Sequence, residues 1–196
     1  EALQLTEEIA DALDYAHRHD IVHRDIKPEN IMLEEGHAIV ADFGVARAAD
    51  AAPGRTTGER IAIGTAAYMS PEACAGEAQM DGRGDLYSLA CVTYEMLTGQ
   101  PPFSAPSIRA LMARHVIDLV PPLAEARPEV PRAVARALGR ALAKDPADRF
   151  PTLAEFRRAL TAPTPDAEVL KSIAVLPFAN SSSDPGQEYL SNGLTD

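Results

Sequence analysis

His23-Arg24-Asp25-Ile26-Lys27-Pro28-Glu29-Asn30, followed at short range by Asp42-Phe43-Gly44, concentrates groups suited to phosphoryl transfer. Asp25 offers a carboxylate to steer a hydroxyl, Lys27 an ammonium for a phosphate, and Asn30 and Asp42 two oxygen ligands for Mg²⁺. Such chemistry asks a protein mainly for positioning and charge neutralisation. A carboxylate within hydrogen-bond reach of a Ser or Thr hydroxyl orients it and accepts its proton as the O–P bond forms. Mg²⁺ prefers hard oxygen donors and few protein ligands, leaving its other positions to phosphates and water. Taken singly, Asn30 and Asp42 would read as turn formers; together with Asp25 and Lys27 they favour the metal.

These groups need elements to hold them. Leu5, Ile9, Leu13 and Ala16 form a helical stripe, so a helix is predicted from about Leu3 to His19, ended by Asp20. Ile31-Met32-Leu33 and Ala38-Ile39-Val40 are short β-type runs around the turn-like Glu34-Glu35-Gly36. They predict a small hairpin with the octapeptide on one side and Asp42 on the other. Val45 to Ile63 has no periodicity and reads as a long loop, functional or mobile. Leu86 to Leu97 predicts a helix buried on all sides. Further helices are expected near Ser107–His115 and Pro131–Ala143, and Thr152-Leu153-Ala154-Glu155 is a capping-box pattern opening a helix through Leu160. Thr161-Ala162-Pro163-Thr164-Pro165-Asp166 reads as a linker, and Ser172 to Phe178 as a buried strand beyond it.

Composition bounds the rest. The chain has 196 residues, 46% of them apolar, enough for one ordinary core plus part of another. A net charge of −11 excludes a basic nucleic-acid surface, and the acidic residues are spread as on a solvated face. No run approaches the ~18 apolar residues of a membrane-crossing helix. The chain opens on an acidic helical pattern, so no signal peptide is expected. Cys74 and Cys91 form no metal-type pair and read as buried or half-buried thiols. His17, His19, His37 and His115 lack a second ligand at metal spacing and are expected as surface or capping histidines. Arg83-Gly84-Asp85 as an adhesion tripeptide and Asn180-Ser181-Ser182 as a glycosylation site both require secretion, and are set aside.

On the octapeptide, on Asp42-Phe43-Gly44 and on Gly64-Thr65-Ala66-Ala67-Tyr68-Met69-Ser70-Pro71-Glu72, the chain resembles the catalytic lobe of a bacterial eukaryote-like (Hanks-type) serine/threonine protein kinase. The fold implied is mainly α with a small β component, the large lobe of a kinase, with the small lobe absent. The resemblance implies ATP with Mg²⁺ or Mn²⁺ as cofactors and protein Ser/Thr hydroxyls as acceptors. Asp25 would be the base, Lys27 would meet the γ-phosphate, and Asn30 and Asp42 would ligate the metal. Lys27 also points to serine/threonine specificity, since tyrosine kinases typically lack it. Met32 stands where the family floors the adenine pocket, although core packing explains it as well. Arg24 implies control by a phosphate on the loop, with Thr56 and Thr57 the candidates; plain loop hydroxyls are the alternative. Thr65 would bridge Asp25 and Lys27. His23 would be a scaffold residue beneath the loop, Glu72 would pair with Arg149, and Asp85 would hydrogen-bond the catalytic-loop backbone. Ser70 replaces a common Ala, and Ala90 a common Gly.

A complete kinase also carries a Gly-rich loop and a Lys–Glu pair, which the resemblance places upstream. The chain is therefore expected to be an internal fragment, inactive or nearly so alone, from a cytoplasmic or membrane-anchored parent. A kinase dimer for trans-autophosphorylation is a candidate partner arrangement; nucleic acid and membrane contact within this segment are not expected. Residues 1–160 would be the catalytic lobe, 161–170 a linker, and 171–196 the start of an α/β domain. That last piece resembles the opening of a TolB-like amino-terminal domain, through Ser172–Phe178, Asp184-Pro185, Gln187-Glu188-Tyr189-Leu190-Ser191 and Gly193-Leu194-Thr195. The rival readings are a pseudokinase or scaffold, which typically loses the base or a metal ligand, and a signalling-linked transcription regulator, for which no DNA-reading feature is visible.

Overall fold

The apolar stripe of the first helix sets the frame on which the rest is built. The structure, a computed structural model, describes residues 1–43, 63–77 and 80–162. Helix α1 (Ala2–His17) buries Leu5, Ile9, Leu13 and Ala16, the residues of that stripe. It packs on the hairpin strand β2 and on two later helices, α4 (Gly82–Thr98) and α8 (Leu153–Thr161). The chain leaves α1 through Asp20, which takes a left-handed conformation at φ 60°. The amide of Ile21 then bonds back to Ala16 O, which turns the backbone toward the octapeptide.

The hairpin pairs β1 (Ile31–Glu34) antiparallel with β2 (His37–Val40), Ile31 opposite Val40 and Glu34 opposite His37. Its turn is two residues, Glu35 and Gly36, both left-handed at φ 51° and 85°. The three-residue turn expected from the sequence loses Glu34 to the strand. Two left-handed residues match the right-handed twist of a tight hairpin, and the second position suits glycine. Glu8 on α1 fastens β2, its carboxylate accepting bonds from Ala38 N at 2.7 Å and His37 Nδ1 at 2.9 Å. Those donors, with the backbone amide the largest influence, lower the Glu8 carboxyl to about 2.

Helix α4 is buried at every position from Asp85 to Tyr94. Asp81 caps its start, accepting from Arg83 N, and Gly99 closes it in the left-handed region at φ 84°. Where α1 crosses α4, the Thr6 and Thr93 hydroxyls meet at 3.0 Å, so the crossing carries a satisfied polar pair. Helix α7 (Arg132–Ala141) is shorter than its sequence pattern suggests, while α5 (Ile108–Ile117) starts one residue later and runs two residues further. Thr152 caps α8 by accepting from Glu155 N at 3.2 Å, one half of the capping box. Among the described residues no return bond from the Glu155 side chain completes it. Single turns α2 (Ile63–Ala66), α3 (Pro71–Cys74) and α6 (Leu123–Ala126) were not expected, being too short to show periodicity.

Two histidines depart from the surface or capping placement the sequence suggests. His115 lies one turn from buried Leu111 on α5 and is fully buried between the Tyr87 and Phe103 rings. Its Nδ1 bonds the Tyr87 hydroxyl at 2.9 Å, while Nε2 finds no partner among the described residues. Burial first, and Lys144 second, lower its pKa to about 4. His17 turns inward from the end of α1 onto Asp85. Cys91 is buried and Cys74 half-buried, both as free thiols, and burial pushes the Cys74 thiol up to about 12. Among the described residues no helix is long and apolar enough to cross a membrane.

Candidate active site

The octapeptide runs from the end of α1 to the start of β1, so both its ends are anchored in packed elements. His23 is buried and stands beneath the loop: its Nε2 bonds Ala41 O at 2.8 Å and its Nδ1 accepts from Asp25 N at 3.3 Å. With Nδ1 accepting, Nε2 carries the proton, and both ring nitrogens are engaged in holding backbone. Asp85, from the first turn of α4, accepts His23 N at 2.8 Å and Arg24 N at 2.7 Å. Those bonds hold Arg24 left-handed at φ 68°. A non-glycine residue there costs on the order of 1–3 kcal/mol, and its surroundings must sustain it.

Beyond this bend the loop presents Asp25. Lys27 Nζ reaches Asp25 Oδ2 at 2.8 Å and Thr65 Oγ1 at 3.2 Å. Thr65 thus meets Lys27; among the described residues a direct bond to Asp25 is not formed. Asn30 donates its amide to Asp25 O at 2.7 Å and Asp25 Oδ2 at 3.2 Å. The Asp25 side chain remains 30% exposed and Lys27 18%. Pro28 opens the single turn that carries Asn30, its ring pre-set for that turn.

The hairpin brings the two oxygen donors to one end. Ala41 N bonds Asn30 O at 2.9 Å, which leaves Asp42 one residue beyond that bond and two beyond the last paired position, Val40. Asp42 is exposed and left-handed at φ 60°. Because the Asn30 nitrogen is committed to Asp25, its amide oxygen is the atom left for a metal. An amide oxygen and a carboxylate are hard donors, and the pair fits Mg²⁺ with its remaining positions filled by phosphate and water. Met32 is 53% exposed, which removes core packing as its explanation; Leu33, Ile39 and Phe43 are exposed as well.

Glu72 and Arg149 are buried and lie apart from these groups. Arg149 Nη1 and Nη2 each reach one Glu72 oxygen at 2.8 Å. The other donors go to the carbonyls of Ala143, Arg83 and Lys144, so all five N–H bonds are used. Burial raises the Glu72 pKa, but the Arg149 bonds and charge outweigh it and the net shift is downward. Tyr68, following α2, is tied to α4 through its hydroxyl on Glu95 Oε2. The sequence reading missed this bond, the Glu8 clamp and the His17–Asp85 contact. Each joins residues far apart in the chain, and none has a local signature. Gly44, Thr56, Thr57 and residues 163–196 lie outside the described residues, so the loop phosphosites and the TolB-like segment receive no structural account.

The family model for the protein kinase domain matches residues 1–159, and the chain belongs to that family. Similar bacterial proteins carry kinase names. The chain is 46% identical over 150 residues to a protein of Bifidobacterium longum named "Probable serine/threonine-protein kinase PknB", a match covering 76% of this chain and 22% of that one. It is 44% identical over 161 residues to the "Serine/threonine-protein kinase PknB" of Mycolicibacterium smegmatis, covering 80% and 25%. It is 45% identical over 152 residues to the "Serine/threonine-protein kinase PknD" of Mycobacterium tuberculosis, covering 76% and 22%. The chain therefore spans about a quarter of the length of these relatives.

Proposed function

We propose that the protein carrying this chain is a serine/threonine protein kinase that transfers the γ-phosphoryl group of ATP to protein hydroxyls. The observation that carries this reading is the convergence of Lys27 and Asn30 on one oxygen of Asp25, with Thr65 on the same lysine. Both side-chain donors take Oδ2, which leaves Oδ1 to accept the proton of the incoming hydroxyl. Lys27 holds a positive charge where charge develops on the transferred group. Thr65 ties the segment after the loop to that lysine, so substrate docking and the base share one hydrogen-bond chain. Mg²⁺ with ATP, when bound on Asn30 and Asp42, supplies the phosphoryl group and neutralises its oxygens.

The finer assignments belong to the same proposal. His23, Asp85 and the Glu72–Arg149 pair are scaffold; Arg24 answers to phosphate on Thr56 or Thr57. Residues 1–160 form the large lobe, and Met32 floors the adenine site beneath a small lobe that closes on the exposed hairpin face. Residues 161–170 link this lobe to a TolB-like α/β segment at 171–196. The kinase acts in bacterial signalling, and its loop is phosphorylated by a second copy.

The test is transfer of labelled γ-phosphate to myelin basic protein by the full-length protein, beside its Asp25→Asn variant. Transfer well above the variant supports the reading; a wild type as inert as the variant makes the protein a pseudokinase or scaffold. Robust transfer by the 196 residues alone would remove the need for a small lobe.

A further inference from the structure

The proposed transfer gives His115 no part, yet its residue is gripped from two sides and keeps one ring nitrogen uncommitted. His115 is 0% exposed, and its Nδ1 meets the Tyr87 hydroxyl of α4 at 2.9 Å. Its backbone carbonyl accepts from Lys144 Nζ at 2.8 Å, and the same ammonium lies 4.4 Å over the Phe103 ring. Burial keeps the Tyr87 hydroxyl protonated, and among the described residues His115 is its hydrogen-bond partner. The hydroxyl therefore donates to Nδ1. Burial also keeps the imidazole neutral, so its single proton sits on Nε2. That N–H has no hydrogen-bond partner among the described residues. A buried donor is costly without an acceptor, so the group it faces matters.

A second observation identifies that group. Helix α5 packs against α2, the single turn that contains Thr65. The backbone of Ala67, just beyond α2, pulls the His115 pKa upward against burial and Lys144. An acceptor favours the protonated ring in this way and a donor does not, so the Ala67 carbonyl faces Nε2. The approach falls short of a formed hydrogen bond. Ala67 is itself buried, between Thr65 on Lys27 and Tyr68 on Glu95. A donor from α5 thus reaches the middle of the segment that leads to Lys27 and Asp25.

We propose that His115 is a positioning residue for the protein acceptor: anchored by Tyr87, its Nε2–H steers the Ala67 carbonyl and so sets the Thr65 turn. The effect on the acceptor rests on the kinase reading; the contact with Ala67 does not. Substitutions in the full-length protein separate the two ring nitrogens. His115→Gln carries an amide N–H to the place of Nε2, His115→Asn a polar group only to the place of Nδ1, and His115→Phe neither. His115→Asn and His115→Phe are expected to raise KM for myelin basic protein about tenfold, with KM for ATP within about twofold. His115→Gln should keep both KM values within about twofold of the wild type. A merely structural role would not tell Gln from Asn, and would not single out the protein substrate.

A readout that needs no catalysis is amide hydrogen exchange at Ala67 and Tyr68, whose N–H groups bond Gly64 O and Thr65 O. It should quicken in His115→Asn and His115→Phe, hold in His115→Gln, and stay unchanged at Phe156 in α8. Wild-type KM for the acceptor in His115→Phe, equal losses in Gln and Asn, or a KM for ATP that rises in step would overturn the proposal. If His115→Phe fails to fold, the Gln and Asn pair decides. Should the wild type transfer no more phosphate than Asp25→Asn, the kinase reading fails and exchange alone decides. Quickening in His115→Asn but not in His115→Gln then supports the contact, and any other pattern overturns it.

Discussion

Asp85 and Asp25 belong to one loop assembly and sit in opposite surroundings. Asp85 is 1% exposed and accepts from His17, His23 N and Arg24 N. Asp25 has a side chain 30% exposed, with its side-chain donors gathered on Oδ2. Glu72 lies further toward the closed extreme, both oxygens on a guanidinium whose five N–H groups are all used. A carboxylate saturated with donors in a dry setting fixes geometry. One with an uncommitted oxygen at the surface can accept a proton. The two buried carboxylates are committed to holding structure, and Asp25 keeps an oxygen free of side-chain donors among the described residues.

Removing the open carboxylate should have the largest effect. Asp25→Asn is expected to cut kcat by roughly 10²–10⁴, the usual worth of a general base, with the unfolding midpoint little changed. Steady-state kinetics beside thermal unfolding would check this; a folded variant with near-normal kcat would erase the distinction between the two aspartates. At the closed extreme, Glu72→Gln strands the Arg149 charge and should cost about 3–5 kcal/mol of stability in urea unfolding. A loss below about 1 kcal/mol would mean the pair behaves as a surface bridge.

Acid should expose a third contrast, a buried group that stays neutral. His115 has a folded-state pKa near 4, against 6.5 in an exposed chain, so the unfolded state takes up the proton first. Its contribution is whole above about pH 6.5 and is lost as pH falls toward 4. That lowering amounts to about 3 kcal/mol. Urea unfolding across that window should show the decline, and His115→Phe should flatten it. Glu72, lowered by Arg149, contributes above the ordinary carboxylate range and gives way only at lower pH. The smallest effect expected is at a cap remote from both aspartates: Thr152→Ala should cost about 1 kcal/mol and leave transfer unchanged. A drop in kcat would show that α8 supports the loop through α1.

Much of this could be read along the chain because it is local. The α1 stripe, the hairpin around Gly36, the Thr152 cap and the all-round burial of α4 each follow from residues within a few positions of one another. The octapeptide puts Asp25, Lys27 and Asn30 within six residues, close enough for one turn to gather them. The His17–Asp85 bond spans 68 positions and the Tyr68–Glu95 bond 27, and no periodicity marks either. The sequence suggests a surface or capping role for His115, which lacks a second ligand at metal spacing; its place one turn from Leu111 on the inner face of α5 buries it.

The family and the set of groups that could do chemistry were decided by the sequence, since motif, residue type and spacing are local properties. Which carboxylate is open and which is locked was decided only by the tertiary structure. Solvent access and the number of donors reaching an oxygen depend on α1, α4 and the hairpin packing together, and a one-dimensional string does not carry that. The same dependence sets the approach of the His17 ring to Gly82: only when the end of α1 meets the start of α4 does the ring come within 2.3 Å of where a Cβ on that glycine would lie.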